Sequence, residues 1–282
     1  MRKIEYIKDT FEEYLSNESI SASDIKNFMH SPKTYWHNKY GKKEAKEDQR
    51  HFLIGSALHE KILEPERFDG NYYVGKKVDK RTSEGKQAYQ QMIEESAGRV
   101  VIMQDEYDMI MEMSEMAMRN KTFVELMKNK ECEVSCYTKD EVTGLNVKVR
   151  PDILCLDKST IVDLKTCLDS SKQKFRNDVY SYGYNVSAAY YLDFLNKENY
   201  VFAALEKQKP YQFSLYELDD EFIEVGRLKY RKALDLMKWS YDNDYWCDYN
   251  EFEVLMECYD IGNLETFFDM INNGVTISII NK

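Results

Sequence analysis

The chain has 282 residues, of which 43% are hydrophobic, and a formal net charge of −11 at pH 7. This length allows a sizeable buried core, while no apolar run approaches the roughly 20 residues that a membrane-spanning helix needs. The acidic balance argues at first sight against a nucleic-acid partner, and the cysteines form no C-x-x-C pair that would indicate a zinc knuckle or an iron–sulfur cluster. The start, MRKIEYIKD, has charges where a signal peptide has its apolar segment, so we expect a cytoplasmic protein.

The first half of the chain is predicted to be mainly helical. Residues 1–50 have the pattern of short helices and loops. From Phe52 to Leu63 the apolar residues recur at helical spacing, and the pattern stops at a proline; this helix carries His59. Further helices are expected at 83–96 and 104–129.

The second half predicts an α/β order. Alternating strands are expected at 131–138, 145–156 and 160–165, in the form of a three-strand meander, followed by a helix at 172–196, strands at 199–206 and 211–217, and a helix at 219–242.

Basic residues are grouped along the chain despite the acidic total. The groups are Lys39, Lys42, Lys43 and Lys46; Lys76, Lys77, Lys80, Arg81 and Lys86; Lys172, Lys174 and Arg176; and Arg227, Lys229, Arg231 and Lys232. One basic channel within an acidic exterior would produce this pattern, and so would ordinary solvated helix faces. Both interpretations stay open at this point.

Two short motifs in the meander point to chemistry. Arg150-Pro151-Asp152 and Asp163-Leu164-Lys165 lie on strands that a hairpin would place side by side, and period-two geometry puts Asp163 and Lys165 on one face. Two neighbouring carboxylates repel each other unless a cation lies between them, and Mg²⁺ prefers such oxygen ligands. The alternative is an aspartate in a turn and a surface Asp-Lys pair, since D-x-K is a short pattern.

The order of three motifs makes a resemblance specific. The strands with R-P-D and V-D-L-K-T, downstream of G-S-A-L-H-E-K-I-L-E-P-E-R-F, resemble the PD-(D/E)xK nuclease superfamily. Within it the chain is similar to the RecE-type, exonuclease VIII-like, phage recombination exonucleases, over about Ser21 to Tyr249. The resemblance implies an α/β fold with a restriction-endonuclease-like core, in which helices flank a mixed central sheet. It implies a single domain: an N-terminal helical elaboration at 1–50, the nuclease core at 51–249 and a tail at 250–282.

The resemblance also implies a set of site residues. Asp152 and Asp163 would be metal ligands with a catalytic role, Leu164 would offer its backbone carbonyl to the metal, and Lys165 would be the catalytic lysine. His59 would be a further metal ligand, although a histidine on an apolar helix is otherwise more often a satisfied core residue. The implied cofactor is Mg²⁺ or Mn²⁺, with one or two ions per subunit.

One position departs from the family pattern. RecE-like and RecB-like nucleases carry Q-x-x-x-Y on the helix after the lysine strand, and this chain has Ser187 in place of the glutamine, with Tyr191 retained. Tyr184 and Tyr191 share a helix face that would contact DNA, or that packs on the sheet. Arg81 and Lys86, from one of the basic groups, are the other expected DNA contacts.

The function that the resemblance implies is a metal-dependent 5′–3′ exodeoxyribonuclease. It would resect linear double-stranded DNA to 3′ single-stranded overhangs for recombination by strand annealing. Its partners would be a single-strand annealing protein and copies of itself, in a ring-shaped trimer or tetramer; a phage-encoded protein would act in the host cytoplasm, away from membranes. The alternatives are a RecB-like repair or restriction endonuclease and a non-catalytic DNA-binding module.

Overall fold

Ten strands form three sheets in the computed structural model, which describes residues 3–41, 50–79 and 81–272. The strands are β1 Glu5–Ile7, β2 Tyr72–Gly75, β3 Val100–Met103, β4 Lys130–Cys132, β5 Ser135–Lys139, β6 Asn146–Val149, β7 Ile153–Cys155, β8 Thr160–Cys167, β9 Asn199–Glu206 and β10 Phe213–Glu217. The central sheet has the order β10-β9-β8-β7-β4, in which β8 and β9 are parallel and the other pairs antiparallel. A second sheet has the order β1-β5-β6, and β2 pairs with β3.

Helices cover the described part of the chain before, between and after the strands. They are α1 Phe11–Ser16, α2 Ala22–His30, α3 Pro32–Tyr40, α4 Arg50–Leu63, α5 Pro65–Asn71, α6 Ser83–Glu95, α7 Gln104–Met118, α8 Lys121–Leu126, α9 Lys172–Ser181, α10 Tyr184–Leu195, α11 Asp220–Asn243, α12 Tyr249–Asp260 and α13 Phe267–Asn272. None of them is long and apolar enough to cross a membrane.

Two hydrophobic cores lie on opposite faces of the central sheet. On β8, Val162 and Leu164 face the core that contains residues of α4, α7 and α8, while Ile161 faces the core that contains residues of α2, α10, α11 and α12. This alternation is the period-two geometry of a strand buried on both sides. The predicted α/β fold with helices on a mixed central sheet is confirmed.

The predicted meander is more sharply bent than expected. The strand expected at 131–138 divides into β4 and β5, and the strand expected at 145–156 divides into β6 and β7, so each contributes to two sheets. At the first break Glu133 has φ +51°, in the left-handed region that non-glycine residues seldom adopt. At the second break Pro151 has no N–H to donate to a ladder. The predicted hairpin is confirmed for β7 and β8, where Ile153 pairs with Val162.

Two predicted long helices are also divided. The helix expected at 172–196 breaks at Gly183, where φ is +61°, and this conformation suits glycine because it has no Cβ. The helix expected at 104–129 breaks at Asn120, whose side chain accepts a hydrogen bond from the Phe123 N–H and caps α8. Local capping chemistry therefore overrides the continuous apolar pattern.

Residues outside the predicted nuclease core pack with it. Ile25 and Phe28 of α2 and Leu255 of α12 are fully buried in the same core as Phe202 of β9. The basic residues Lys42, Lys43, Lys46 and Lys80, and the last part of the predicted tail, 273–282, lie outside the described residues. The assignment of the whole chain to one nuclease domain stays a prediction.

Candidate metal centre

The two strand breaks bring Glu133 and Asp152 together. The backbone N–H of Glu133 donates to the backbone carbonyl of Asp152, with an N–O distance of 3.3 Å. The side chain of Asp152 then turns toward the adjacent strand β8, where its Oδ2 accepts the Leu164 N–H at 2.7 Å. This bond fixes the carboxylate at the point where β8 presents its own polar residues.

His59 reaches the same point from helix α4. The helix passes close to β8, since a Cβ at Gly55 would lie only 4.0 Å from Thr166 Oγ1. One turn later, His59 Nδ1 lies 3.8 Å from Asp152 Oδ2. One donor atom from each of His59, Glu133 and Asp152 lies within 4.8 Å of the others. The structure therefore brings together the predicted pair His59 and Asp152 and adds Glu133 to it.

Asp163 and Lys165 lie beside these donors as a close ion pair. Their Oδ2 and Nζ atoms are 2.5 Å apart, as expected for alternate residues on one face of β8. The Lys165 amine also lies 5.2 Å from the centre of the Tyr184 ring. Among the described residues Asp163 is not part of the convergent set of three, and its role as a ligand stays a prediction, as does that of the Leu164 carbonyl.

Burial and mutual repulsion shift the acid–base behaviour of the carboxylates. Burial and then the neighbouring charge of Asp163 raise the pKa of Asp152 well above its usual range, and burial and then Asp152 raise the pKa of Glu133. Burial lowers the pKa of the Lys165 amine, but the negative charges of Asp163 and Asp152 raise it by more, so this pKa lies above its usual value. Lys165 is therefore protonated at neutral pH.

The pKa of the His59 imidazole is lowered, in contrast to the raised pKa values of the two carboxylates. Burial and then the positive charge of Lys165 lower its pKa, while the negative charges of Asp163 and Glu133 act against them. A neutral imidazole has a free lone pair for a metal ion, and two crowded carboxylates gain stability from a divalent cation between them. The donor set thus fits a divalent metal ion.

Glu133 is held in place by a buried arginine. Arg150, which is 8% exposed, donates from Nε to Glu133 Oε2 at 2.9 Å and from Nη1 to Asp9 Oδ1 at 2.9 Å. Nη1 also donates to Ser135 Oγ at 2.7 Å. The network fixes the side chain of Glu133 and joins the N-terminal segment to the centre.

Tyr191 supports the backbone in front of Asp152. The Tyr191 hydroxyl donates to the Arg150 carbonyl oxygen at 3.2 Å. The backbone N–H of Arg150 in turn donates to the Tyr191 hydroxyl oxygen, with an N–O distance of 3.4 Å. Ser187, the position that departs from the family pattern, is half-buried one turn earlier on α10. The structure gives Tyr191 a positioning role, and its contact with DNA stays a prediction.

The other expected DNA contacts lie on separate elements. Arg81 is exposed and pairs with Asp79, with Nε and Oδ1 3.0 Å apart, and Lys86 is exposed on α6. Their contact with DNA stays a prediction. In the last basic group Arg227 and Arg231 are in ion pairs with acidic side chains, which favours a structural interpretation of that group.

The sequence interpretation missed Glu133 and the Arg150 network. Glu133 is a charged residue in an alternating strand, opposite Asp152 in the predicted meander, and this position is the signal that could have found it. Asp9 left no such signal, because 141 positions separate it from Arg150.

Comparison with solved structures shows the fold. A candidate exonuclease from Eubacterium rectale, solved at 2.19 Å resolution, has a TM-score of 0.52 and 16% identity over 81% of this chain and 87% of that one. A phage-related exonuclease from Haemophilus somnus has 12% identity over 83% of this chain and 100% of that one, with a TM-score of 0.36.

Comparison of the sequence with protein-family models identifies the family and not only the fold. No curated protein matches the chain. The family model described as a PDDEXK-like domain of unknown function (DUF3799) matches residues 21–255, which include His59, Glu133, Asp152, Asp163 and Lys165. The chain belongs to this PDDEXK-like domain family.

Proposed function

We propose that the protein is a metal-dependent exodeoxyribonuclease that hydrolyses phosphodiester bonds in linear double-stranded DNA. The observation that carries this proposal is the convergence of His59, Glu133 and Asp152 beside the Asp163–Lys165 pair. Membership of a PDDEXK-like family and a fold similar to that of a candidate exonuclease support it. The signature after which the family is named requires an acidic pair and a lysine, and Asp152, Asp163 and Lys165 supply them.

His59, Glu133 and Asp152 would hold a divalent cation, for which we propose Mg²⁺ or Mn²⁺. Asp163 and the Leu164 carbonyl are further candidate ligands from the neighbouring strand. When bound, such an ion supplies Lewis-acid polarisation of the phosphodiester and lowers the pKa of a coordinated water. Because the His59 imidazole is neutral and the Asp152 carboxyl is crowded, both favour the bound state.

Lys165 has the chemistry of a donor and not of a base. Its amine is protonated because Asp163 and Asp152 stabilise the charge. The side chain is 28% exposed, so it remains accessible to a substrate phosphate. In this role Lys165 positions the attacking water and offsets the negative charge that develops on the phosphate oxygens.

We further propose that the enzyme degrades DNA in the 5′–3′ direction and leaves 3′ overhangs for a single-strand annealing protein. The resemblance to RecE-type enzymes supports this direction. It also supports a closed trimer or tetramer. A ring is compatible with the net charge of −11, because its lining can be basic while its exterior is acidic.

One degradation assay tests the proposal. Linear duplex labelled at either the 5′ or the 3′ end is incubated with Mg²⁺ or EDTA, beside closed circular DNA and the variants Asp152→Ala and Lys165→Gln. We expect Mg²⁺-dependent loss of linear DNA only, early release of the 5′ label, and a rate at least about 100-fold lower in both variants. Cutting of circular DNA would indicate an endonuclease, and binding without cleavage would indicate a non-catalytic module.

Oligomerisation is tested separately. Native mass spectrometry of the full chain should show a trimer or tetramer. A monomer alone, at concentrations where degradation is active, would contradict the ring.

A further inference from the structure

An exposed aromatic ring, that of Tyr182, stacks at the break between α9 and α10 on the tyrosine ring that neighbours Lys165. Tyr182 is 59% exposed, although its ring stacks on Tyr184 with a centroid distance of 5.5 Å and an interplanar angle of 29°. Tyr184 in turn stacks on Phe202 and lies 5.2 Å from Lys165 Nζ. Packing accounts for Tyr184, which is half-buried between two rings. It does not account for the outer face of Tyr182, which is open to solvent.

A second amine lies at the same break. The Lys26 side chain crosses Gly183 so closely that a Cβ there would lie 3.0 Å from Lys26 Cδ. Its Nζ donates to the Tyr182 carbonyl at 3.3 Å, which uses one of three N–H bonds. Within the described parts of the chain Lys26 forms no ion pair. Lys26 thus lies against the α9–α10 break, where the Tyr184 ring is 5.2 Å from Lys165 Nζ. Burial and then the charge of Lys165 lower the pKa of Lys26, while Asp163 acts against them.

This combination is suited to one class of ligand. An open aromatic face takes a nucleobase by stacking, and an adjacent amine takes the phosphate of the same strand. Lys26 contributes a positive charge here, while the charge of Lys165 is already paired with that of Asp163. A folded protein partner would need a larger apolar patch than a single ring.

We propose that Tyr182 and Lys26 form a subsite for the nucleotide adjacent to the scissile phosphodiester. Tyr182 stacks on its base, and Lys26 binds its phosphate on the strand that passes Lys165. The subsite rests on the proposed nuclease function, because Lys165 defines where the scissile phosphate lies. It adds two substrate-binding residues that lie outside the D-x-K and Q-x-x-x-Y motifs.

Binding to single-stranded DNA tests the aromatic part. The probe is a fluorescein-labelled oligonucleotide of about 12 nucleotides, titrated with the full chain in EDTA so that no cleavage occurs. We expect Tyr182→Ala to weaken binding by about tenfold and Tyr182→Trp to retain it, since loss of one base stack has about this effect. Tyr6→Ala is the matched control, because Tyr6 is 52% exposed on β1. Equal affinity of Tyr182→Ala and wild type would overturn the stacking role.

The salt dependence of the same titration tests Lys26. A single phosphate contact on a single strand contributes about 0.7 to the slope of log affinity against log salt concentration. Lys26→Gln should lower the slope by about this amount, Lys26→Arg should restore it, and the exposed Lys128→Gln should leave it unchanged. An unchanged slope in Lys26→Gln would overturn the phosphate contact, since a purely structural role would not alter this slope selectively.

Cleavage kinetics separate the two proposals. If the wild type degrades linear DNA and Tyr182→Ala raises KM about tenfold at similar kcat, both hold. If the wild type degrades DNA and Tyr182→Ala has the KM of the wild type, only the subsite fails. If the wild type neither binds nor degrades DNA, the proposed function fails as well.

Discussion

At the scale of single residues, the centre places the carboxylate of Asp152 close to those of Asp163 and Glu133. The Asp152 Oδ2 accepts a hydrogen bond from the Leu164 N–H. Lys165 compensates part of this charge, but it is already paired with Asp163. The carboxylates therefore destabilise the metal-free protein and favour metal binding for the same physical reason.

The first prediction concerns Asp152 in the metal-free protein. Its folded-state pKa lies above the unfolded value, so the native state binds this proton more tightly and loses stability as pH rises through the folded pKa. Asp152→Asn should therefore raise the free energy of unfolding in EDTA by on the order of 1 kcal/mol at about pH 8.5, and by less at about pH 5. Urea denaturation at the two pH values measures this, and a gain of the same size at both would contradict it.

The second prediction concerns Glu133 as a metal donor. Glu133→Gln keeps the hydrogen bond from Arg150 but loses the anionic oxygen, so Mn²⁺ affinity should fall at least about tenfold in isothermal titration calorimetry. Glu131→Gln is the matched control. Glu131 lies two residues before Glu133, and its carboxylate forms an ion pair with Lys8 at 2.8 Å. Equal losses in the two variants would argue against a specific role for Glu133.

At the scale of elements, the packing of α10 against α11 fixes the position of Tyr191 in the centre. Helix α10 carries Tyr191 and packs against α11, where Gly226 allows close contact. A Cβ at Gly226 would lie 2.2 Å from the Asn185 carbonyl oxygen, a backbone atom that cannot turn aside. The position of Tyr191 under Arg150 thus depends on one glycine in the neighbouring helix.

The third prediction compares two helical glycines. Gly226→Ala should destabilise the protein by about 1 to 3 kcal/mol, because overpacking outweighs the better helix propensity of alanine. Gly70→Ala, in α5 with no atom within 4 Å of the new Cβ, should instead stabilise by up to about 1 kcal/mol. Thermal unfolding measures both, and a shift of the same sign in the two variants would contradict the packing argument.

At the scale of the whole molecule, the N-terminal segment takes part in the centre through Arg150. Strand β1 pairs with β5, and Asp9 follows it, where Ser135, Tyr137 and Arg150 all bond to its carboxylate. Burial raises the pKa of the Asp9 carboxyl, but the bonds from Ser135, Tyr137 and Arg150 lower it by more and hold it below its usual value. An ionised residue near the start of the chain thereby fixes the arginine that holds Glu133.

The fourth prediction follows from this connection. Asp9→Asn should weaken Mn²⁺ binding by about tenfold although Asp9 is not a ligand, because loss of an outer partner loosens the donor that it orients. Asp69→Asn, at an exposed carboxylate paired with Lys61, should leave the affinity unchanged. Calorimetry with both variants checks this, together with circular dichroism to show that the fold is retained. Wild-type affinity in Asp9→Asn would mean that Arg150 is held well enough by Glu133 and Ser135.

The sequence was a good guide where the information is local. The β7–β8 hairpin and the pairing of Asp163 with Lys165 follow from turn signals and period two, and the meeting of His59 with Asp152 follows from the resemblance. The break at Gly183 also has a local cause and could have been predicted from the glycine. The divided meander could not, because the left-handed conformation of Glu133 is stabilised by a partner strand and a distant arginine.

The left-handed conformation of Glu133 has a consequence for variation among relatives of this chain. Glycine and asparagine adopt that conformation more easily than glutamate, so substitution toward them would relax the backbone while removing a donor oxygen. We expect relatives with glycine or asparagine at this position to keep the bend and to bind metal more weakly. The residue at this one position would then divide the family into strong and weak metal binders.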